Sequence, residues 1–215
     1  MRHDLKTPLN AIVSLPQLLK EDGNLTLEQR DYLNHIERSG WRMLRMINSS
    51  LDIFKMEEGS YRCSLSPNDL VSITKEVVDS LQSSLKRYDC KIILHYNAKV
   101  ANDSNTLVIQ TEETNIHNMM SNLLTNAIEA SPAGSDIIVN FANSSPKSLS
   151  ITNKGVVPKT IRDHFFKKYK TYGKKHGTGL GAYSAKLIAD ALGYKIEMQT
   201  SDEINETTIT ITFCD

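Results

Sequence analysis

Cysteine is scarce in this chain. Cys63, Cys90 and Cys214 are odd in number, widely spaced and free of any CxxC pattern. That argues against a disulfide framework and a thiolate zinc site, and it fits a reducing, cytoplasmic compartment. Long apolar runs are missing as well. No stretch approaches the roughly 18 residues a membrane helix needs, so no membrane contact is expected of these residues. The opening MRHDLKTPLN lacks the apolar core of a signal peptide and reads as the interior of a helix, as though cut from something longer. Neither charge is in excess, since 25 Lys and Arg meet 25 Asp and Glu, and nucleic acid is therefore not an expected partner.

The charge is nevertheless unevenly placed. From Lys154 to Lys175 there are eight basic residues (Lys154, Lys159, Arg162, Lys167, Lys168, Lys170, Lys174, Lys175) against one acid, Asp163, which leaves the remainder net acidic. A local positive patch on an acidic body points to a specific anion site. With 215 residues, 40% of them hydrophobic, the chain has room for one domain of ordinary size and a smaller one.

Leu5, Leu9, Ile12, Leu15 or Pro16, and Leu19 recur in steps of three and four, which predicts one apolar stripe along a first helix, with His3 off it. Residues 21–26 supply a turn, with Thr26 as N-cap of a longer second helix. That helix carries Leu33, Ile36, Gly40, Met43 or Leu44, Ile47, Leu51 and Phe54, and ends near Glu58. A lone hairpin of two such helices leaves apolar surface exposed, so a homodimer pairing two hairpins into a four-helix bundle is expected. The pattern breaks from Gly59 to Pro67, which predicts domains at 1–59 and 60–215. Beyond the break a helix is expected over 68–86. Strands are expected at 91–96, 107–110, 137–141, 149–152, 195–199 and 207–213, with helices at 113–130 and 180–192 between them. The fold class is α+β: a helical hairpin, then a two-layer sandwich of helices on a mixed sheet.

Two local patterns carry chemistry. Asn118, Asn122 and Asn126 recur every four residues, so they share one helix face opposite Met120, Leu123, Leu124, Ala127 and Ile128. Gly177-Thr178-Gly179-Leu180-Gly181 opens a helix, where free amides and the dipole favour phosphate and missing side chains admit close approach. At the other end of the chain, Thr7 lies four residues after His3, on the same helix face. Pro8 and Pro16 each remove an amide donor nearby and are expected to bend that helix.

Arg2-His3-Asp4-Leu5-Lys6-Thr7-Pro8-Leu9 closely resembles the phosphoacceptor motif of sensor histidine kinases. NMMSNLLTNAIEAS at 118–131 resembles the family's asparagine-rich box, and HGTGLG at 176–181 its glycine-rich box, in the same order. The resemblance spans essentially the whole chain and implies a dimerisation and phosphotransfer hairpin joined to a Bergerat-type ATP-binding domain. It implies ATP and Mg2+ as cofactors and a response-regulator receiver domain as partner. His3 becomes the phosphorylated residue, Asp4 its hydrogen-bond acceptor or base, and Thr7 the orienter of a water for phosphatase activity. Asn126 becomes the metal ligand and Asn122 a phosphate contact, with Asn118 on the same wall. The basic stretch from Gly155 to Gly177 resembles the ATP lid, with Phe165, Phe166 and Tyr169 as its aromatic anchors and Lys168 and Lys174 as candidate charge-neutralising residues.

One departure stands out. Where the family has Asp-x-Gly-x-Gly, this chain has Asn153-Lys154-Gly155, with Val157 in place of the second glycine. An Asn carbonyl still accepts from a purine amino group, but the change keeps a second reading open: a dimeric docking scaffold with a degenerate nucleotide site. A third reading is an ATPase switch without histidine phosphorylation, against which the His3 hairpin speaks.

Overall fold

The computed structural model describes residues 2–21, 23–169 and 179–214, leaving out the side chains of residues 2–7, 42, 45 and 46. The chain divides into two compact units, Met1–Ser60 and Tyr61–Asp215.

The first unit is a hairpin of α1 (Arg2–Glu21) and α2 (Leu27–Glu57). Thr26 starts α2 with a capping box: its hydroxyl accepts from the Gln29 amide at 3.1 Å, and the Gln29 side chain accepts from the Thr26 amide at 2.9 Å. Pro8 and Pro16 lie inside α1, and the helix runs through both. The seam between the helices differs from the expected stripe. Leu9, Val13 and Leu44 form its buried cluster with Ile47 packed against them, whereas Ile12, Leu15 and Leu19 are exposed. Gly40 explains the shift. A Cβ there would meet Val13 Cγ2 at 2.7 Å, so the missing side chain lets α1 settle with Val13 turned inward. Beyond this seam the Lys20 ammonium and the Gln17 amide both donate to the Glu37 carboxylate, and they hold it below the usual carboxylate range. Gly59, in the left-handed region at φ 67°, closes α2.

The second unit begins differently from the expected helix over 68–86. Ser66–Asp69 is a strand, β1, and α3 (Leu70–Ser80) and α4 (Gln82–Tyr88) follow it, broken at Leu81. β1 pairs antiparallel with β4 (Val108–Thr111). Asp69 caps α3 by accepting from the Val71 amide at 3.2 Å, and it also accepts from the Leu107 amide at 2.8 Å. One carboxylate thus ends the strand, starts the helix and holds the partner strand's entry.

The main sheet has the order β3-β2-β5-β6-β8-β7. Its strands are β2 (Lys91–Tyr96), β3 (Lys99–Val100), β5 (Asp136–Ala142), β6 (Ser148–Lys154), β7 (Lys195–Ser201) and β8 (Glu206–Thr212). β2 and β5 are parallel and the other neighbours antiparallel, so the sheet is mixed as expected. Burial alternates along β5, β6 and β8, the period-2 mark of a sheet with one covered face. α5 (Glu113–Ala130) packs on β6 and against both α3 and α7 (Gly181–Ala191). Ile116, Met119, Met120, Leu123, Leu124 and Ile128 of α5 are fully buried, and each stabilises the unit by about 1.5–3 kcal/mol through removal of apolar area from water. A short helix, α6 (Lys159–Arg162), follows β6.

Candidate active site

The apolar face of α5 is fixed by the core, and the asparagine row takes the remaining position, half-buried beside α7. Two contacts join the helices in step. The Asn122 amide donates to the Ser184 hydroxyl at 3.3 Å. One turn along, a Cβ on Gly181 would lie 3.2 Å from Asn126 Nδ2 and 3.6 Å from its Oδ1. The bare backbone of Gly181 therefore lies directly on the Asn126 amide, and the glycine turn and the asparagine row form one surface. Asn118 continues that row, half-buried, towards the start of α5. Asn122 thus has a helix-joining role that its spacing alone did not reveal.

Gly179, at φ 67°, turns the chain into α7, and exposed Leu180 precedes its first residue without a side-chain cap. The opening amides of this 11-residue helix have no partner within the helix itself, the arrangement that favours an anion. Thr178, Gly177 and Lys174 lie outside the described residues. The basic segment after Gly155 can be followed to Tyr169, whose amide donates to the Gly179 carbonyl at 3.1 Å. Phe165 and Phe166 meet edge to face at 5.0 Å, and Lys168 Nζ rests 5.2 Å from the centre of the Tyr183 ring. Tyr183 is a partner that the sequence did not disclose.

On the opposite side, Asn153 is buried at the end of β6 and donates its amide to the Lys154 carbonyl at 2.8 Å. Gly155 sits at φ 107°, where a Cβ would lie 2.8 Å from the Ala130 carbonyl oxygen, so only glycine lets this loop close on the end of α5. Thr207 donates to the Gly155 carbonyl at 2.8 Å, and Thr200 accepts from the Val157 amide at 3.1 Å. Val157 is itself buried, filling the position of the family's second glycine. Arg162 donates to the Val157 carbonyl at 2.7 Å and pairs with Asp202, which holds the Asp202 carboxyl below its ordinary range. The loop after β6 is thus clamped from β7, β8 and the turn between them.

His3, Asp4 and Thr7 all fall in the first two turns of α1, and their side chains lie outside the described residues. Of the residues missed, Ser184 had a readable signal, a small polar residue three positions after Gly181. Thr200 and Thr207 had none, because they meet only through the β7–β8 register.

The family model for the His Kinase A (phospho-acceptor) domain matches residues 1–59. That for the histidine kinase-, DNA gyrase B-, and HSP90-like ATPase matches residues 111–215. The chain belongs to the sensor histidine kinases. Among curated relatives of this kinase, the signal transduction histidine-protein kinase BarA of Escherichia coli is 29% identical over 212 residues, covering 93% of this chain and 22% of BarA. The chain spans less than half the length of the curated relatives it matches. Full-length ShkA in complex with AMPPNP superposes with a TM-score of 0.68 at 20% identity, over 99% of this chain and 44% of ShkA. The histidine kinase ThkA, solved in complex with the response regulator protein TrrA, gives 0.58 at 19% identity, over 98% of this chain and 58% of ThkA. At these identities the two structures speak for the fold of the kinase. Among the described residues, no helix is long and apolar enough to cross a membrane.

Proposed function

We propose that this chain is a kinase core that uses ATP to phosphorylate His3 and then passes the phosphoryl group to an aspartate of a response-regulator receiver domain. The observation that carries this reading is the single surface made by Asn122, Asn126, Gly181 and Ser184, in a chain whose first helix holds His3. The AMPPNP bound by ShkA and the regulator bound by ThkA support the donor and the acceptor. Residues 1–59 are the dimerisation and phosphotransfer hairpin and residues 60–215 the ATP-binding domain. Exposed Ile12, Leu15, Leu18, Leu19 and Ile36 supply the face on which two hairpins pair into a homodimeric bundle in the cytoplasm.

The residues present fit a magnesium nucleotide. The Asn126 carbonyl is a hard oxygen ligand beside Gly181, where a side chain would crowd it, and the start of α7 directs its first amides towards an anion. Magnesium, when bound, neutralises part of the triphosphate charge. Asn118 and Asn122, with Gly177, Thr178, Gly179, Leu180 and Gly181, line the phosphate side, and Lys168 and Lys174 bring lid charge to it. Because the Asn153 nitrogen is turned to the Lys154 carbonyl, its Oδ1 is the end that accepts from the purine amino group, with Gly155 giving the loop its closeness. His3 attacks the γ-phosphorus with one ring nitrogen while Asp4 accepts a hydrogen bond from the other, and the bond from phosphorus to the bridging oxygen breaks to release ADP. In the regulator's phosphorylated state, Thr7 orients a water against its acyl phosphate, which makes the chain a phosphatase as well.

The test is incubation with magnesium and γ-labelled ATP beside His3→Gln and Asn126→Ala. Label that is acid-labile, alkali-stable, present on the parent and lost from both variants is the expected result. A parent that binds ATP but takes no label favours a phosphatase or nucleotide switch. A parent that binds no ATP leaves the dimeric docking scaffold, in line with Asn153 and Val157.

A further inference from the structure

The segment that leads into the second unit grips both helices of the candidate site. The Tyr61 hydroxyl lies 3.0 Å from each oxygen of the Glu112 carboxylate and donates to it. Asn115, only 4% exposed, donates its amide to the Tyr61 hydroxyl at 2.8 Å and to Glu112 Oε2 at 3.2 Å. Glu112 is the N-cap residue of α5, yet its side chain makes no capping bond to that helix. The carboxylate is turned to Tyr61 instead. Two residues on, the Cys63 thiol donates to the carbonyl of Ala191, the last residue of α7, at 3.0 Å. Burial and then the Glu112 charge push the Cys63 thiol up, which keeps it protonated and able to donate. Three residues of chain therefore tie the start of the helix carrying the asparagine row to the end of the helix opened by the glycine turn.

We infer that Tyr61 and Cys63 are positioning residues for the nucleotide site, a strap that sets α5 and α7 in register so that Asn122 meets Ser184 and Asn126 meets Gly181. Neither strap residue touches that surface. They act from the far ends of the two helices, about 1.5 Å per residue away along each axis. In sequence only Ser60 separates Tyr61 from Gly59, which closes α2. The inference rests on the proposed nucleotide reading for its binding consequence alone.

Tyr61→Phe keeps the ring and removes the hydroxyl, and Cys63→Ala removes the other anchor. Amide hydrogen exchange on the whole chain is expected to quicken about fivefold at both the first turn of α5 and the last turn of α7 in either variant, with an unchanged melting temperature for the sheet. Displacement of a fluorescent ATP analogue by magnesium-ATP is expected to show affinity weakened by about fivefold in each. Exchange that quickens only at the helix the altered residue touches, or at neither, overturns the strap. A parent chain that binds no nucleotide defeats the proposed function, and the exchange comparison still decides the strap.

Discussion

The two units are held together by very different means. Among the described residues of the hairpin, buried apolar side chains amount to one short seam around Leu9, Val13 and Leu44, while α1 alone exposes Ile12, Leu15, Leu18 and Leu19. In the second unit a sheet with alternating burial is sealed by fully buried residues of α3, α5 and α7. The second unit owns its core, whereas the described side chains of the hairpin bury little of their apolar surface. Marginal helix pairs gain most of their stability from packing of an amphipathic face, so the hairpin is the part whose stability depends on what its exposed apolar face meets.

That contrast can be broken from either side. Trp41, the single tryptophan, lies in α2, so its fluorescence reports the hairpin, while the near-ultraviolet circular dichroism of the edge-to-face Tyr194–Phe213 pair reports the second unit. Leu123→Ala is expected to destabilise the second unit by about 2–5 kcal/mol and to leave the Trp41 transition in place; movement of both transitions together would mean that the units share a core. Gly155→Ala comes next, at about 1–3 kcal/mol, because the added methyl meets the Ala130 carbonyl in a left-handed position. It is expected to weaken magnesium-ATP binding more than it lowers the melting point, measured by calorimetry and titration.

On the hairpin side, Gly40→Ala forces a methyl against Val13. Better helix propensity offsets part of that cost, so a net loss of about 1 kcal/mol is expected, read as an earlier Trp41 transition with the Tyr194–Phe213 signal unmoved. Smallest is the effect of acid. The Glu37 carboxyl is lowered in the folded hairpin by Lys20 and Gln17, so its contribution is present above the ordinary carboxylate pKa and fades as pH falls through the lowered folded value. Glu37→Gln is expected to flatten the acid limb of the hairpin's stability profile, and an unchanged limb would assign that dependence to other groups.

Periodicity made much of this legible in the sequence. The hairpin, the asparagine helix and the sheet strands follow from patterns of three, four and two, because in each case a core selects the apolar face. Three things were hidden for a common reason. β1 exists only by pairing with β4; Val13 turns inward only because Gly40, on another helix, has no side chain; and Thr200 and Thr207 close the loop after β6 only through the β7–β8 register. Contacts that depend on a partner distant in sequence leave no local trace. The candidate site divides along the same line. Asn122, Asn126 and Gly181 were readable from spacing, while their joining to Ser184 and the placing of Lys168 on Tyr183 required the packed helices.

The order of the main sheet carries one more consequence, for how these molecules behave when crowded. One border is β3, two residues long and entered through the left-handed Asn97–Ala98 turn. The other is β7, where exposed Lys195 and Glu197 form an ion pair on the rim. A stub and a charged rim are poor templates for another molecule's strand. The main sheet thus offers little for another molecule's sheet to fuse by, and the pairing proposed for the hairpin has no rival at its edges.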